Sequence, residues 1–220
     1  MIIAIDGPSG AGKSTLGKML AKRLGLLYLD TGAMYRAAAL AAAKAGVSLD
    51  AQDRVVAVVS EAHIELEGEP DSLRVSLNGE DVSAAIRTPE AAQAASVVST
   101  ISGVRQRMVE LQRSIGESAP NGCVLEGRDI GSVVFPNADV KFFLTAKTEA
   151  RARRRFEEDN AKGRETTYEK TLAEISERDR RDSTRKDSPL VRADGAIEID
   201  TSDLGLDEVF GLMLRLIEGA

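Results

Sequence analysis

The chain has 220 residues, of which 43% are hydrophobic and 29% are charged, so it is long enough for one large domain with a buried core. Its net charge of -6 disfavours general nucleic-acid binding, and one cysteine with one histidine excludes an internal disulfide and an ordinary zinc site. No apolar stretch approaches the roughly 20 residues of a membrane-spanning helix. We expect a soluble cytoplasmic protein that has no signal peptide and binds neither nucleic acid nor membrane.

Strand and helix patterns alternate along most of the chain. Short apolar runs that end in polar or glycine residues predict buried strands of a mainly parallel sheet, and the segments between them have helical spacing. The predicted strands are residues 2–5, 26–29, 123–125, 140–144 and 196–199, and the clearest helices are residues 14–24, 33–45 and 206–217. The pattern predicts an α/β fold with a five-stranded parallel sheet covered by helices.

A different pattern interrupts this alternation near the middle of the chain. Residues 63–67 and 73–77 carry apolar side chains at every second position, and a polar segment with one glycine and one proline separates them. Alternation of apolar and polar residues on both sides of a turn predicts an antiparallel hairpin, and Asn78-Gly79 predicts a tight turn after it. We therefore expect a small antiparallel insert beside the parallel sheet.

The most highly charged segment is residues 145–187, with 13 lysines and arginines and 11 aspartates and glutamates among 43 residues. Helices with so few apolar side chains cannot lie deep in a core, so they form either a solvated hairpin or a mobile lid that closes on an anion. Arginines recur there at helical spacing, which is unfavourable unless an anion or a carboxylate compensates their charge. The two stripes are Arg151, Arg154 and Arg155, and Arg178, Arg181 and Arg185.

The most specific motif is the glycine-rich segment between the first predicted strand and the first predicted helix. Two glycines flank four residues and precede Lys-Ser, which is the phosphate-loop pattern in the context that phosphate binding requires. The residues are Gly7, Pro8, Ser9, Gly10, Ala11, Gly12, Lys13 and Ser14, and Thr15 follows. Backbone amides would surround phosphate oxygens, Lys13 would reach the outer phosphates, and the Ser14 hydroxyl would ligate Mg²⁺. We predict a nucleoside triphosphate site here instead of a structural turn.

Two further polar segments follow predicted strands. Residues 30–36 open a helix with a hydroxyl and an arginine, and residues 126–129 place an arginine and a carboxylate after the third strand. Ligands bind at this edge of open α/β sheets, where arginine suits phosphate and a carboxylate suits a hydroxyl or an amine. The sequence contains no Asn-Lys-X-Asp motif of the usual GTP switch. The number of arginines in these segments and in the charged segment favours a reaction between two phosphorylated substrates.

The chain resembles the bacterial cytidylate kinases, which are nucleoside monophosphate kinases. The resemblance rests, in the family's order, on residues 5–14, 30–36, 77–82, 86–88, 94–96, 104–105, 127–131 and 134–136 and on the arginine-rich segment. It implies a P-loop NTPase core with a helical lid and an antiparallel NMP-binding insert, and transfer of the γ-phosphoryl group of ATP to CMP or dCMP. The implied division is a core of residues 1–60, 100–145 and 190–220, an insert of residues 61–99 and a lid of residues 146–187.

The same resemblance implies roles for individual residues. Lys13, Arg128, Arg178 and Arg185 would form the catalytic set, Arg154 would join the phosphate loop in binding ATP with Mg²⁺, and the chain would be a monomer. The implied CMP-binding residues are Thr31, Tyr35, Arg36, Ser96, Arg105, Arg128, Asp129, Arg178, Asp182 and Arg185. Within this set Ser96, Arg105 and Asp129 would read the cytosine edge. Relatives often have glycine where this chain has Ser14, which leaves direct ligation of the metal by that hydroxyl open.

Other functions stay open at this point. A P-loop kinase with another small acceptor, such as UMP, AMP or shikimate, would share the same phosphate loop, and a nucleotide-dependent switch would share it as well. Acceptor-dependent formation of ADP separates a kinase from a switch, which would show only slow hydrolysis. We expect His63 and Cys123 to be structural, and the charged segment to be open and mobile until both nucleotides bind.

Overall fold

The computed structural model describes residues 1–219 of the chain. Its strands are β1 (Ile2–Asp6), β2 (Leu27–Asp30), β3 (Ile64–Glu67), β4 (Arg74–Leu77), β5 (Glu80–Asp81), β6 (Cys123–Gly127), β7 (Val140–Thr145) and β8 (Ile197–Asp200). Its α-helices are α1 (Lys13–Leu24), α2 (Thr31–Lys44), α3 (Gln52–Glu61), α4 (Pro89–Val98), α5 (Ser102–Ser118), α6 (Thr148–Ala161), α7 (Tyr168–Thr184) and α8 (Leu206–Glu218).

Five parallel strands form the main sheet in the order β2-β6-β1-β7-β8, which confirms the predicted fold class. The central strands β1 and β6 are buried on both faces, as their unbroken apolar sequences require. One apolar core lies on each side of the sheet. In the register of β1 and β6, Asp6 is paired with Gly127, so the phosphate loop and Arg128 leave the sheet side by side.

Some predicted bounds are wrong by one or two residues, and the differences have local causes. Strand β6 continues to Gly127 instead of ending at residue 125, because its pairing with β1 extends that far. Helix α2 begins at Thr31 instead of residue 33, because the carboxylate of Asp30 accepts a hydrogen bond of 2.8 Å from the amide of Ala33 and caps the helix. A π-helical turn at Ile130–Val134 was not expected from the sequence.

The predicted hairpin is confirmed, and a third strand extends it. Strands β3 and β4 are antiparallel, and β5 adds to β4 after a turn in which Asn78 has φ 52° and Gly79 has φ 81°. The buried residues Val75 and Leu77 of β4 join the core that contains the alanines of α2. Because alanine side chains are small, the insert can pack closely against this helix, at the side of the main sheet.

The charged segment folds as the antiparallel-packed helices α6 and α7. Five of the six stripe arginines form ion pairs with carboxylates of the protein, so most of the repulsion expected from their spacing is compensated before any ligand is added; Arg154 donates to Thr201 and Ser202 instead. Within residues 1–219, no helix is long and apolar enough to cross a membrane.

Candidate active site

A cavity of about 1050 Å³ opens at the carboxyl edge of the main sheet. The phosphate loop (residues 7–14), the first turns of α1 and α2, helices α4 and α5, the end of β6 and the inner faces of α6 and α7 surround it. Every predicted site residue lines this cavity except Gly7 and Pro8. The fold therefore brings together predicted site residues that lie as far as 176 positions apart in the sequence, such as Ser9 and Arg185.

The phosphate loop has a backbone that only glycine permits at its key positions. Gly7 has φ 148°, and a Cβ atom there would lie 2.0 Å from the carbonyl oxygen of Leu144. Gly10 has φ 79° and lies against the first turn of α6. Among the described residues no side chain caps α1, so its first amides are available to an anion in the cavity.

Lys13 lies at the bottom of the phosphate loop and is almost fully buried. Its ammonium group donates a hydrogen bond of 2.7 Å to the carbonyl oxygen of Pro8. Burial, and after it the positive charge of Arg128, lowers the pKa of Lys13 to about 7. Anionic phosphates in the cavity would compensate both effects and favour the charged amine.

Arg128 and Arg178 share one carboxylate in the same cavity. The Arg128 Nε donates to Asp182 at 2.7 Å, and the Arg178 Nε lies 4.0 Å from the same carboxylate. Burial, and then the charge of Arg128, lowers the pKa of Arg178 to about 10. Two guanidinium groups against one carboxylate leave a net positive charge, which suits a phosphate group. Arg36 is nearby in the wall, paired with Asp30 at 3.0 Å.

A second, more deeply buried cluster lines the same cavity. Arg105 forms an ion pair with Asp129 and donates to the carbonyl oxygen of Ser99 at 3.2 Å, while its guanidinium carbon lies 5.6 Å from the ring centre of Tyr35. Arg185 reaches Asp129 at 3.7 Å from the other side. Such a cluster presents donors and an acceptor to the cavity in a dry setting, where unpaired polar groups are costly.

Ser96 completes this cluster from α4. Within residues 1–219 its buried hydroxyl has no hydrogen-bond partner, and the side chain lines the cavity. Unpaired buried hydroxyls are uncommon because their desolvation costs about 1–3 kcal/mol. A polar ligand atom beside Ser96 would remove that cost.

Arg154 reaches the cavity from α6 at the opposite end from Ser96. Its guanidinium donates to the Thr201 hydroxyl at 3.1 Å and to the carbonyl oxygen of Ser202 at 3.2 Å. The exposed side chains of Leu204, in the same loop, and Leu206, at the start of α8, also line the cavity. Arg154 therefore borders a partly apolar recess next to the phosphate loop.

Two buried carboxylates at the sheet edge, Asp6 and Glu126, are absent from the predicted site residues. Asp6 accepts hydrogen bonds from the amides of Ile130 at 2.8 Å and Gly131 at 2.7 Å, and burial raises its pKa to about 6. Glu126 accepts a 2.5 Å hydrogen bond from the hydroxyl of Tyr28, and its pKa is raised by burial and then by the neighbouring carboxylate of Asp30. The one sequence signal for both is an acidic residue at the end of a buried apolar strand.

Comparisons with known proteins agree over the whole chain. The family model described as cytidylate kinase matches residues 3–219. The cytidylate kinase of Geobacter sp. (strain M21) is 48% identical over 218 residues, which are 99% of this chain and 93% of that protein. The cytidylate kinase of Caldanaerobacter subterraneus subsp. tengcongensis is 54% identical over 207 residues, covering 94% of this chain and 90% of that protein.

The solved structures are more distant. A shikimate kinase from Bacteroides thetaiotaomicron superposes with a TM-score of 0.53 at 14% identity, and the match covers 99% of this chain and 98% of that chain. At this level of identity the similarity concerns the fold, which is that of the P-loop kinases.

Proposed function

The chain belongs to the cytidylate kinase family, which makes it a phosphotransferase, and from that premise we propose that it transfers the γ-phosphoryl group of ATP to CMP or dCMP. The products are ADP and CDP or dCDP. The observation that carries the proposal is that the phosphate loop and the cluster of Arg105, Asp129 and Ser96 open into one cavity. A donor and an acceptor bound at these two places would face each other inside the same space.

On the donor side, we assign ATP to the phosphate loop, Thr15 and Arg154. The free amides at the start of α1 and the ammonium group of Lys13 would bind the β- and γ-phosphates. Arg154 and the apolar recess beside it would approach the nucleoside end of the donor. Glycine at positions 7, 10 and 12 lets the backbone approach the phosphates without Cβ atoms.

Magnesium fits the donor set that the cavity offers. The Ser14 hydroxyl lines the cavity next to the buried carboxylate of Glu126, and both are hard oxygen ligands of the kind that Mg²⁺ prefers. Among the described residues no cluster of three or more acidic, histidine or cysteine side chains could hold a metal by itself. We propose that Ser14, with phosphates and water, holds Mg²⁺, which supplies charge neutralisation when bound.

On the acceptor side, Arg36, Arg128 and Arg178 would hold the α-phosphate of CMP. The supporting observation is the excess positive charge of Arg128 and Arg178 over the one carboxylate of Asp182. Asp182 would also accept hydrogen bonds from the ribose hydroxyls, and the hydroxyl of Thr31, which donates at 2.6 Å to the carbonyl oxygen of Glu126, lies in the same wall.

We propose that the deeper cluster reads the base. Asp129 would accept from the exocyclic amine of cytosine, Arg105 would donate to its ring acceptors, and the unpaired hydroxyl of Ser96 would assist. Tyr35 would orient Arg105 through its ring face, and Arg185 would balance the charge of Asp129. Uracil presents a carbonyl where cytosine has the amine, so its oxygen would face this carboxylate with no hydrogen between them.

The chemistry needs no protein nucleophile and no general base. An oxygen of the acceptor phosphate is already nucleophilic, so it forms the new P–O bond to the γ-phosphorus while the bond to the leaving ADP oxygen breaks. Lys13, Arg128 and Arg178 would neutralise the anionic oxygens of both substrates and hold them in line. Exclusion of water by the helices above the cavity would suppress hydrolysis of ATP.

The predicted division of the chain becomes part of the same proposal. Residues 61–99 would form the NMP-binding insert, residues 146–187 the lid, and the remaining residues the core of a monomer. In support, Arg164 between α6 and α7 donates at 3.0 Å to the carbonyl oxygen of Arg87, which joins the two segments across the cavity mouth. The single cysteine, Cys123, is a buried free thiol, which suits the reducing cytoplasm.

The test is a steady-state assay of ADP formation with ATP, Mg²⁺ and a panel of acceptors: CMP, dCMP, UMP, AMP and shikimate. We expect turnover to be highest with CMP or dCMP and at the hydrolysis background without an acceptor. Equal rates with AMP or shikimate would contradict the assigned acceptor. ADP formation that ignores every acceptor would contradict a kinase and favour a nucleotide-dependent switch.

A further inference from the structure

Arg151, in the first turn of α6, is buried, with 4% of its side chain exposed. Its Nε donates to the carbonyl oxygen of Ala146 at 2.9 Å, and one terminal nitrogen donates to the hydroxyl of Thr148 at 2.9 Å. The guanidinium donates two parallel hydrogen bonds, of 3.1 and 2.7 Å, to the carboxylate of Asp179. A further bond of 3.1 Å reaches the carbonyl oxygen of Ser9 in the phosphate loop.

These contacts occupy the whole guanidinium group. Arginine has five N–H donors, and the five hydrogen bonds of Arg151 all go to acceptors of the protein itself. The side chain is also absent from the cavity lining, unlike Arg154 and Arg155 of the same predicted stripe. Arg151 therefore has no donor left for a phosphate group, and of the two compensating groups expected for the stripe, an anion or a carboxylate, it has the carboxylate.

The two ends of this contact belong to two elements that border the cavity, the phosphate loop and α7. Ser9 lies in the phosphate loop, and its neighbour Gly10 packs so closely that a Cβ atom there would be 3.1 Å from the Cβ of Arg151. Asp179 lies on α7, directly after Arg178 and three residues before Asp182, which face the acceptor side. A helix is rigid over a few turns. Fixing the position of Asp179 therefore also fixes where Arg178 and Asp182 lie around the helix axis and along it.

We propose that Arg151 is a positioning residue that holds α7, and with it Arg178 and Asp182, in register with the phosphate loop. This inference rests on the proposed function, since it concerns the alignment of acceptor and donor. The planar fork of arginine is required because it bonds one carboxylate twice and a backbone carbonyl at the same time. A lysine retains the charge but presents a single ammonium group, so it cannot make these three hydrogen bonds with the same geometry.

The experiment compares Arg151→Lys and Asp179→Asn with a matched control on α7, the helix of Asp179. Arg180 also binds a carboxylate with two parallel bonds, of 2.9 and 2.8 Å to Glu177, but 65% of its side chain is exposed and it lies outside the cavity. We expect Arg151→Lys and Asp179→Asn to lower kcat by about 10- to 100-fold, because a misplacement of about 1 Å costs this much in a two-substrate reaction. The KM values for ATP and CMP should change less than about threefold, because the binding groups remain. Arg180→Lys should leave kcat unchanged.

A second measurement does not depend on activity. The ¹⁵N chemical shift of the Gly10 amide reports the hydrogen bond accepted by the preceding carbonyl of Ser9, so in the ligand-free protein Arg151→Lys should change it and Arg180→Lys should not. The double variant Arg151→Lys with Asp179→Asn should lose no more activity than the worse single variant, because both remove the same contact. If Arg151→Lys does not fold, the kinetics and the Gly10 chemical shift are both measured on Asp179→Asn.

The outcomes separate this inference from the proposed function. Full kcat together with an unchanged Gly10 shift in the two variants would overturn the positioning role. A large rise in the KM for ATP at constant kcat would overturn it too, because it would mean that Arg151 binds the nucleotide. A wild-type chain without acceptor-dependent ADP formation would refute the proposed function instead, while the Gly10 shift would still report whether Arg151 holds the loop.

Discussion

The two sides of the cavity are built in different ways. The donor side is one continuous stretch of backbone, the phosphate loop, in which amides and one ammonium group face the cavity. The acceptor side consists of side chains that arrive from α2, α4, α5, α7 and the end of β6, and ion pairs hold them together. A site made of backbone amides depends on the φ angles of a few residues, several of them glycine. A site made of side chains depends on how each of the elements that carry them is packed. Substitutions should therefore act differently on the two sides.

The largest expected effect on activity comes from removing the Lys13 side chain on the donor side. Lys13→Ala removes a cation from the transferring phosphoryl group, and we expect turnover to fall by about 10²-fold or more. The fold should survive, because this buried amine has its pKa lowered and contributes little favourable charge energy. The measurements are kcat and the thermal unfolding midpoint. Near-wild-type turnover would mean that the phosphate loop does not carry the reaction.

The matching substitution on the acceptor side is Asp129→Ala. It removes the group proposed to accept from the cytosine amine, and the loss of kcat/KM for CMP should correspond to about 2–4 kcal/mol. The KM for ATP should stay within a few-fold, because the phosphate loop is backbone. Kinetics with each substrate varied in turn measures both effects. Retained CMP affinity with lost ATP affinity would reverse the assignment of the two sides.

The buried carboxylate of Asp6, at the end of β1, gives a prediction about pH and stability. Its pKa is raised to about 6, so the folded chain holds this proton more tightly than the unfolded chain does. The contribution of Asp6 to stability therefore falls as pH rises from about 4 to about 6, and stays constant above that. Relative to Asp6→Asn, the wild type should lose about 2 kcal/mol of unfolding free energy between about pH 4.5 and about pH 7.

Urea unfolding of both proteins at several pH values measures this difference. Asn retains the shape of Asp6 but replaces one of the two oxygens that accept from Ile130 and Gly131. A difference between the two proteins that does not vary with pH would show that Asp6 does not titrate in this range.

The smallest expected effect concerns the helices above the cavity. Their contacts with the rest of the chain are mostly ion pairs and hydrogen bonds, such as that of Arg164 to Arg87, and few are apolar. We expect amide hydrogen exchange in residues 145–187 to slow when a bisubstrate analogue binds, and to slow less with CMP alone. Equal and strong protection with and without ligand would identify a rigid hairpin instead of a lid.

The sequence by itself determined the parts of this protein that depend on neighbouring residues. Apolar runs and their period gave the five parallel strands and the hairpin, because burial on one or two faces leaves a local pattern. The phosphate loop is contiguous, so its glycines, Lys13 and Ser14 could be recognised without a structure. What local pattern could not supply were the exact ends of elements, such as the continuation of β6 to Gly127, since pairing with β1 sets them.

Tertiary structure alone decided which charged residues are free to bind a ligand. Arg151 and Arg178 look alike in the sequence, yet Arg151 is saturated by Asp179 and Ser9 while Arg178 shares one carboxylate with Arg128. Asp6 likewise finds its two amide donors 124 and 125 residues away. The physical reason is that the pKa of a charged group and its free hydrogen-bond donors depend on the groups within a few ångströms of it. The fold, not the spacing along the chain, determines which groups those are.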